Sequence, residues 1–415
     1  MMRAISAAAC VVALSLAGCS TDGAPGDATS TASEIRVSPE SDTIGDVVTR
    51  SATEPRPSDT AATTPAEPTA DTAAAAAGAA PAAAGDLRVV SVGFEDVADA
   101  DAELERIAAE LDRAGANAVA ITAGRIDWTT FPWPGREDRW SAQVRESGRD
   151  LFADAIAALG AGRHVSAVVD TFAPRLLEAL PELAAHDLYG QPSELQGSLT
   201  ALTDGSIGDD LVAMIDHVAG TYDVDSIDLT ELHYDIVGFG DEDKADYLPW
   251  SGRSDWPRLA DGQIDLHDAS LGEWKSTRVA QFVARAAEAA HRHGAELYVD
   301  VRVSWDDLSR NAAEHGQSYD LLLEHADRLV VWNYFGLLGL EAGFTDAVAD
   351  HLAAIDPDRF VMSVGLWGTV APTDLEHALH AAAQRGLAGA WVTPASRFER
   401  GHWDAIAAAW SAAAG

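Results

Sequence analysis

The chain has 415 residues, and its 28 Lys and Arg against 66 Asp and Glu leave a formal net charge of −38. A chain this acidic is unsuited to covering a nucleic-acid backbone, which requires a positive face, so we expect no nucleic-acid partner. Both cysteines, Cys10 and Cys19, lie near the N-terminus, which excludes a disulfide and a cysteine-ligated metal from the rest of the chain.

The N-terminus has the composition of an export signal. A basic start at residues 1–3 precedes an apolar stretch at residues 5–16, which is too short to span a bilayer as a helix. The stretch ends in Leu16-Ala17-Gly18-Cys19, which resembles the lipobox of bacterial lipoproteins, in which the cysteine is acylated. We therefore expect a signal peptide over residues 1–18 and a lipid on Cys19 that anchors the exported protein to the outer face of the cell membrane.

The segment that follows the lipobox has the composition of a tether. Residues 19–86 are rich in Ala, Thr, Pro, Ser and acidic residues and contain no aromatic side chain. Such a segment cannot bury enough apolar surface to offset the entropy of ordering it. We expect a disordered tether here, followed by one folded domain over residues 87–415.

Strand-like and helix-like patterns alternate through the whole of residues 87–415. Eight β-α units in about 329 residues predict a single (β/α)8 TIM barrel with long loops after strands 2 and 4, since such barrels usually take about 250 residues. The alternative is a doubly wound open sheet, but no Gly-x-Gly-x-x-Gly follows the first strand. The predicted strands are Arg88–Glu95, Asn117–Ala123, His164–Phe172, Ser226–His233, Glu296–Ser304, Arg328–Phe335, Arg359–Trp367 and Gly389–Thr393.

Polar residues at the C-terminal ends of the strands mark the candidate site, because TIM-barrel active sites lie at that end. Strand 1 ends near Glu95, and strand 3 ends in Asp170. In strand 5, Asp300 and Arg302 alternate with valines, which places them on the inward face. A charged residue in a buried strand is costly unless it is paired, so these two residues either line a site or form an internal ion pair.

Strand 4 carries the densest group of polar side chains. Alternation places Asp228 on the inward face, and Glu231 breaks the alternation unless the strand ends there. We expect Glu231 to be a general acid/base carboxyl with Asp228 beneath it, and His233 and Asp235 to line the same mouth. In the alternative interpretations, Glu231 only caps a helix or pairs with an arginine, or binds a divalent ion together with His233 and Asp235.

The fourth and sixth strands resemble those of known glycoside hydrolases. The run 224–234, Val-Asp-Ser-Ile-Asp-Leu-Thr-Glu-Leu-His-Tyr, is similar to the fourth strand of the family-10-like glycosyl hydrolases and of the chitinase family. The run 329–334, Leu-Val-Val-Trp-Asn-Tyr, is similar to the sixth strand of chitinase-like barrels, in which a tyrosine contacts the substrate. The resemblance implies a glycan substrate, catalysis by carboxylates and a substrate contact from Tyr334. We also expect Asn333 to bind substrate, and we expect no cofactor and no metal.

Three departures from those patterns limit the resemblance. Thr230 stands where both families have Asp, Leu232 stands where chitinases have their catalytic Glu, and strand 7 ends in Trp367 without a Glu. These departures favour a second hypothesis, a non-catalytic glycan-binding lipoprotein on a degenerate hydrolase barrel.

Aromatic residues concentrate in the predicted loops at the barrel mouth. A flat ring can cover the C–H face of a sugar, so we expect two or three of these rings to contact a glycan and the others to anchor loops. The rings considered are Trp128, Phe131, Trp133, Trp140, Trp250, Trp256, Trp305 and Trp367.

The sequence thus predicts a monomeric, surface-anchored glycoside hydrolase that acts on a poly- or oligosaccharide. Glu231 is the predicted proton donor, with Asp300 or Asp170 as its partner carboxylate. The predicted substrate-binding residues are Asp228, His233, Asp235, Arg302, Asn333, Tyr334, Trp367 and Glu95.

Overall fold

The computed structural model describes residues 87–98 and 101–412. The predicted signal peptide, the lipid on Cys19 and the predicted tether lie outside the described residues. No helix in the described ranges combines the length and the apolar character that are needed to cross a membrane.

The described part of the chain forms a closed barrel of eight parallel strands with helices around it. Each strand pairs in parallel with its neighbour, and the last strand pairs with the first from Leu87↔Gly389 to Val90↔Val392, which closes the sheet. The prediction of a TIM barrel is therefore confirmed, and the open sheet is excluded. The strands are β1 (Leu87–Val92), β2 (Ala118–Arg125), β3 (His164–Asp170), β4 (Ser226–Thr230), β5 (Glu296–Val301), β6 (Arg328–Trp332), β7 (Phe360–Gly365) and β8 (Gly389–Thr393).

A helix on the outside of the barrel follows each strand, as right-handed β-α-β connections require. These outer helices are α1 (Asp101–Ala114), α2 (Leu151–Leu159), α3 (Ser206–Thr221), α4 (Ala269–His291), α5 (Tyr319–Leu322), α6 (Phe344–Ile355), α7 (Pro372–Gln384) and α8 (Arg400–Ala412). Shorter helices in the connections are Phe94–Ala98, Ala142–Ser147, Pro174–Ala179, Leu199–Thr203 and Asp241–Ser251.

The hydrophobic core has two layers, and strand alternation explains both. Side chains such as Tyr298, Val330 and Trp391 fill the inside of the barrel. The alternate residues, for example Val299 and Val331, pack between the strands and the helices. Because side chains alternate along each strand, residues in register with the inner layer point into the barrel and its mouth.

Long connections leave the C-terminal ends of three strands. Those after β2 and β4 were predicted, and the second contains the helix Asp241–Ser251. The connection after β3 also contains an antiparallel hairpin, Ala184–His186 with Pro192–Gly197, which the sequence analysis did not predict. Its second strand is mostly partly exposed or exposed and carries little apolar alternation, so it has a weak sequence pattern.

Candidate active site

Carboxyls from three neighbouring strands meet at the C-terminal mouth of the barrel. Asp170 is the last residue of β3, Glu231 follows β4, and Asp300 lies in β5. The side chains of Glu231 and Asp170 are 32% and 24% exposed, which leaves both accessible to a ligand. Asp300 is only 8% exposed and lies deeper. The structure thus brings together the three predicted catalytic residues, one of them beneath the other two.

The environment of two of these carboxyls, Asp170 and Asp300, raises their pKa towards neutrality. Burial, reinforced by the negative charge of Glu231, raises the pKa of Asp170 to about 7, although Arg125 opposes the shift. Burial also raises the pKa of Asp300 to about 7, against the polar groups of Thr230 and Trp332 and together with Glu231. A carboxyl with a pKa near neutrality can both donate and accept a proton at physiological pH.

Asp228 is buried in the barrel interior, below the mouth. It is 1% exposed, and neither of its carboxyl oxygens has a hydrogen-bond partner. Burial first, and then the neighbouring Asp300, raises its pKa well above the usual value. The prediction placed Asp228 beneath Glu231 and among the substrate contacts. The first placement agrees with the structure, but the burial of Asp228 excludes direct contact with a ligand in the mouth.

Glu231 has a backbone conformation that is unusual for a residue with a side chain. Strand β4 ends at Thr230, and Glu231 has φ of 61°, in the left-handed region. Strand alternation allows Glu231 to enter the mouth only if the strand ends at this point, and it does. Such a conformation costs about 1–3 kcal/mol and occurs disproportionately at functional sites.

A network of charged groups holds the chain that follows Glu231. Nε2 of His233 lies 3.2 Å from Glu231 Oε2 and 2.9 Å from Arg302 Nη2. On the other side, Asp235 lies 3.5 Å from His233 Nδ1, 2.9 Å from His315 Nδ1 and 3.5 Å from Arg302 Nε.

The contacts of this network shift the pKa of two of its members, His233 and Asp235, in opposite directions. Burial and Arg302 both lower the pKa of His233, but Asp235 and Glu231 outweigh them, and the net shift is upward. Although burial alone would raise the pKa of Asp235, His233, His315 and Arg302 hold it well below the usual value.

The same network bears on the alternative of a metal bound by Glu231, His233 and Asp235. The guanidinium of Arg302 contacts both His233 and Asp235, so a cationic side chain already pairs with two of the three residues. Within residues 87–98 and 101–412, no group of three or more His, Cys, Asp or Glu side chains is arranged to hold a metal ion.

Aromatic rings form a wall beside the carboxyls, on the side of β6 and β7. Trp332 stacks on Tyr334 with ring centroids 5.1 Å apart, and Tyr334 lies 5.1 Å from Trp367. Arg302 lies over the outer face of Trp332, 5.4 Å from its centroid. Gly365 makes room for these rings, because a Cβ there would come within 2.6 Å of Tyr334 and 2.7 Å of Trp367. We call Trp332, Tyr334 and Trp367 the aromatic wall.

The sequence analysis missed Trp332 as a site residue, and it misplaced Asn333. Asn333 is fully buried on the opposite face of β6, where its amide donates to Thr345 Oγ1 and Met362 Sδ. It therefore cannot reach a ligand in the mouth. Strand alternation was the signal that could have found Trp332, since it shares the inward face with Tyr334 and Val330.

Glu95 lies at the edge of the mouth rather than at a strand end. Strand β1 ends at Val92, and Glu95 is an exposed residue of the helix Phe94–Ala98 that accepts a hydrogen bond from Ser396 Oγ. None of its described contacts joins it to the carboxyl cluster.

Several of the other aromatic residues pack in the core, where they anchor loops to the barrel. Phe131, Trp133 and Trp256 are at most 5% exposed. Trp128 is partly exposed next to Arg125, whose guanidinium lies 5.7 Å from its ring.

No protein-family model matches this sequence, and no curated protein matches it either. Solved structures do resemble it, although at low sequence identity. The glycoside hydrolase domain of PgaB (BpsB) from Bordetella bronchiseptica aligns with a TM-score of 0.60 and 15% identity, over 79% of this chain and 97% of that one.

Two further structures share the architecture. The catalytic domain of a β-amylase from Paenibacillus polymyxa aligns with a TM-score of 0.56 and 12% identity, over 80% of this chain and 100% of that one. An endo-1,4-β-D-mannanase from Thermotoga petrophila aligns with a TM-score of 0.50 and 9% identity, over 79% and 99%. Likeness at such identities is likeness of fold, and it shows that this chain shares the (β/α)8 barrel architecture of these structures.

Proposed function

We propose that the protein is a surface-anchored glycoside hydrolase that cleaves a poly- or oligosaccharide by carboxyl acid/base catalysis. One observation carries the proposal: Asp170, Glu231 and Asp300 share a mouth that the aromatic wall borders, and two of them have a pKa of about 7. Two-carboxyl glycosidases need such a pair at the scissile bond.

Within this mouth, Asp170 and Glu231 are the carboxyls that a substrate can reach. Since its pKa is about 7, Asp170 holds a proton near neutral pH, and we assign to it the transfer of that proton to the leaving oxygen. The sequence analysis assigned this transfer to Glu231, which here becomes the partner carboxyl. Asp300 lies beneath both, and the negative charge of Glu231 adds to the burial that raises the pKa of Asp300 to about 7.

The aromatic wall supplies the surface on which a sugar ring can lie. Stacked Trp and Tyr side chains offer a flat apolar face together with polar edges, which suits the C–H face of a pyranose. Burial first, and then the nearby charges of Asp300 and Glu231, raise the pKa of the Tyr334 hydroxyl, which places that ring beside the carboxyls. A sugar on the wall is thus next to the carboxyls.

Anchoring at the cell surface is the part of the proposal that rests on sequence alone. The lipobox at Leu16-Ala17-Gly18-Cys19 and the tether over residues 19–86 support it. Labelling of the protein by a fatty-acid analogue in cells, and loss of the label in Cys19→Ser, would establish the anchor.

The activity is tested by screening the full-length protein against a panel of oligo- and polysaccharides. Asp170→Asn and Glu231→Gln should each lose about 10²-fold or more of the turnover, as removal of an acid/base group does, and should still bind glycan. Glu178→Gln, which changes an exposed carboxyl on the helix Pro174–Ala179, is the matched control. Undiminished turnover in Glu231→Gln contradicts the assignment, and glycan binding without turnover in the unmodified protein supports the non-catalytic alternative.

The proton donor is identified with substrates whose leaving group needs no protonation. An activated aryl glycoside should restore turnover in the variant that lacks the proton donor and in no other. We expect restoration in Asp170→Asn. Restoration in Glu231→Gln instead would return the role to Glu231.

A further inference from the structure

The ends of β4 and β5 separate just where they carry the candidate catalytic residues. The two strands pair from Ser226↔Glu296 as far as Leu229↔Val299, and no pair of this ladder follows. Glu231 lies beyond the last pair on one strand, and Asp300 lies beyond it on the other. Separation exposes backbone groups that the ladder no longer satisfies, and buried groups of this kind need other partners.

The side chain of Gln317 fills the gap between the two strand ends. Its Nε2 donates to the carbonyl of Leu232 at 2.9 Å and to the carbonyl of Asp300 at 2.8 Å. Its Oε1 accepts from the backbone N–H of Arg302 at 2.9 Å. Gln317 is 1% exposed, so no water replaces these three bonds.

These three bonds reach the backbone of several residues at the site. Leu232 stands between Glu231 and His233 in the chain, while Asp300 and Arg302 are themselves candidate residues. A primary amide combines a donor and an acceptor in one plane, as a peptide group does, and can therefore continue a ladder that has split. The amide of Gln317 thus links the two strand ends by hydrogen bonds although Gln317 belongs to neither strand.

The loop that carries Gln317 also contacts the segment after β4 through His315. The carbonyl of His315 accepts from the N–H of Tyr234 at 2.8 Å, and its ring lies 2.9 Å from Asp235. After Gly316, which has φ of 74°, the chain turns inward to bring Gln317 between the strands. Residues 315–317 of the connection after β5 therefore contact the ends of both strands.

We propose that Gln317 is a positioning residue whose amide holds the separated ends of β4 and β5 at the spacing that sets Glu231 against Asp300. This inference rests on the proposed function for its catalytic consequence. Its structural consequence is independent of turnover, because the same amide sets the position of Arg302 against His233.

The variant that tests the inference is Gln317→Met, made in the full-length protein. Methionine has a similar length and no charge, so it removes the three hydrogen bonds without adding an electrostatic effect. Gln317→Asn keeps the amide but shortens its reach and should be milder. Gln384→Met, at an exposed position at the end of α7, is the control. Melting curves identify the variants that fold.

On a glycan that the unmodified protein hydrolyses, kcat of Gln317→Met should fall by about tenfold or more, because a small misplacement of reacting groups is costly. KM should change by less than about threefold, since the aromatic wall is untouched, and the pH profile of kcat should shift. Unchanged kcat and pH profile in a folded variant would overturn the inference.

A second measurement needs no substrate. The titration of the His233 ring, followed by NMR and assigned with a His233→Asn variant, reports its distance from Arg302 and Glu231. In Gln317→Met its midpoint should move, while in Gln384→Met it should stay. An unmoved midpoint overturns the inference whether or not the protein hydrolyses glycans, and a moved midpoint supports it even if the hydrolase proposal fails.

Discussion

Asp228 and Asp300 lie next to each other inside the barrel, where neither can lose its proton at low cost. They are 1% and 8% exposed, and burial raises the pKa of both, to about 7 for Asp300. Two carboxyls in one desolvated space cannot both ionise readily. The folded protein therefore holds protons near neutral pH that the unfolded chain has released, and this links stability to pH.

The domain should be more stable in mildly acidic solution than at pH 8. Burial raises the pKa of Asp170, Asp243 and Asp300 from 3.8 to about 7. Between these values the native state binds more protons than the unfolded state, so the free energy of unfolding falls as pH rises through the window. Calorimetry should give a higher Tm at about pH 5.5 than at about pH 8, and a Tm that rises steadily over that range would refute this expectation.

Two groups set the limits of that window. The depressed pKa of Asp235 means that its stabilising contacts are lost on strong acidification, so we expect the Tm to fall again below about pH 4. Lys275, whose pKa burial lowers to about 7, binds fewer protons in the native than in the unfolded state above that pH. Above about pH 7, Lys275 therefore makes the free energy of unfolding rise with pH, which opposes the effect of the three aspartates.

Replacing Asp228 by Asn should stabilise the protein at alkaline pH. The substitution keeps the shape of the side chain and removes a carboxyl whose two oxygens have no hydrogen-bond partner. The Tm of Asp228→Asn should exceed that of the unmodified protein at about pH 8, and the gain should shrink at about pH 5, where the carboxyl is protonated in the native state. Asp223→Asn, at an exposed position before β4, is the control. A gain that is equal at both pH values would show that ionisation is not the cause.

The two lysines of the chain should respond differently to the same substitution. Lys275 on α4 is 2% exposed, and its Nζ donates to the carbonyls of Tyr234 at 2.6 Å and Val237 at 2.8 Å. Lys275→Met leaves both carbonyls without this donor and should cost about 1–3 kcal/mol. Lys244→Met removes a partly exposed pair with Asp255 and should cost less than about 1 kcal/mol. Denaturant unfolding at about pH 8 measures both, and equal costs would count against the anchoring role of Lys275.

Removal of the outer ring of the aromatic wall should weaken substrate binding. The ring of Trp367 lies 5.1 Å from that of Tyr334, and the guanidinium of Arg397 lies 5.9 Å from it. Trp367→Ala should raise KM by about tenfold with a smaller change in kcat, because the lost contact is made equally in the ground and transition states. Trp250→Ala, which removes a ring packed on Tyr247 in the connection after β4, should leave KM unchanged. A fall in kcat alone for Trp367→Ala would place this ring in the chemical step.

Local patterns sufficed to predict the strands and most of the residues at their ends. In β5 the alternation of valines with Asp300 and Arg302 fixes which side chains face inward, and the structure agrees. Applied to β6, the same rule would have predicted Trp332, and not Asn333, as a residue of the site. Resemblance to other hydrolases points to Asn333, whereas the periodicity of the strand points to Trp332.

The amino-acid sequence by itself determined the barrel, its eight strands and the end at which polar residues gather, because apolar periodicity and chain direction are local properties. Only the tertiary structure decided that Gln317 bridges Leu232 and Asp300, and that Lys275 reaches the carbonyls of Tyr234 and Val237. The tertiary structure also decides the pKa shifts of Asp170 and Asp300. Each depends on desolvation and contacts from segments far away in the chain, which no local pattern encodes.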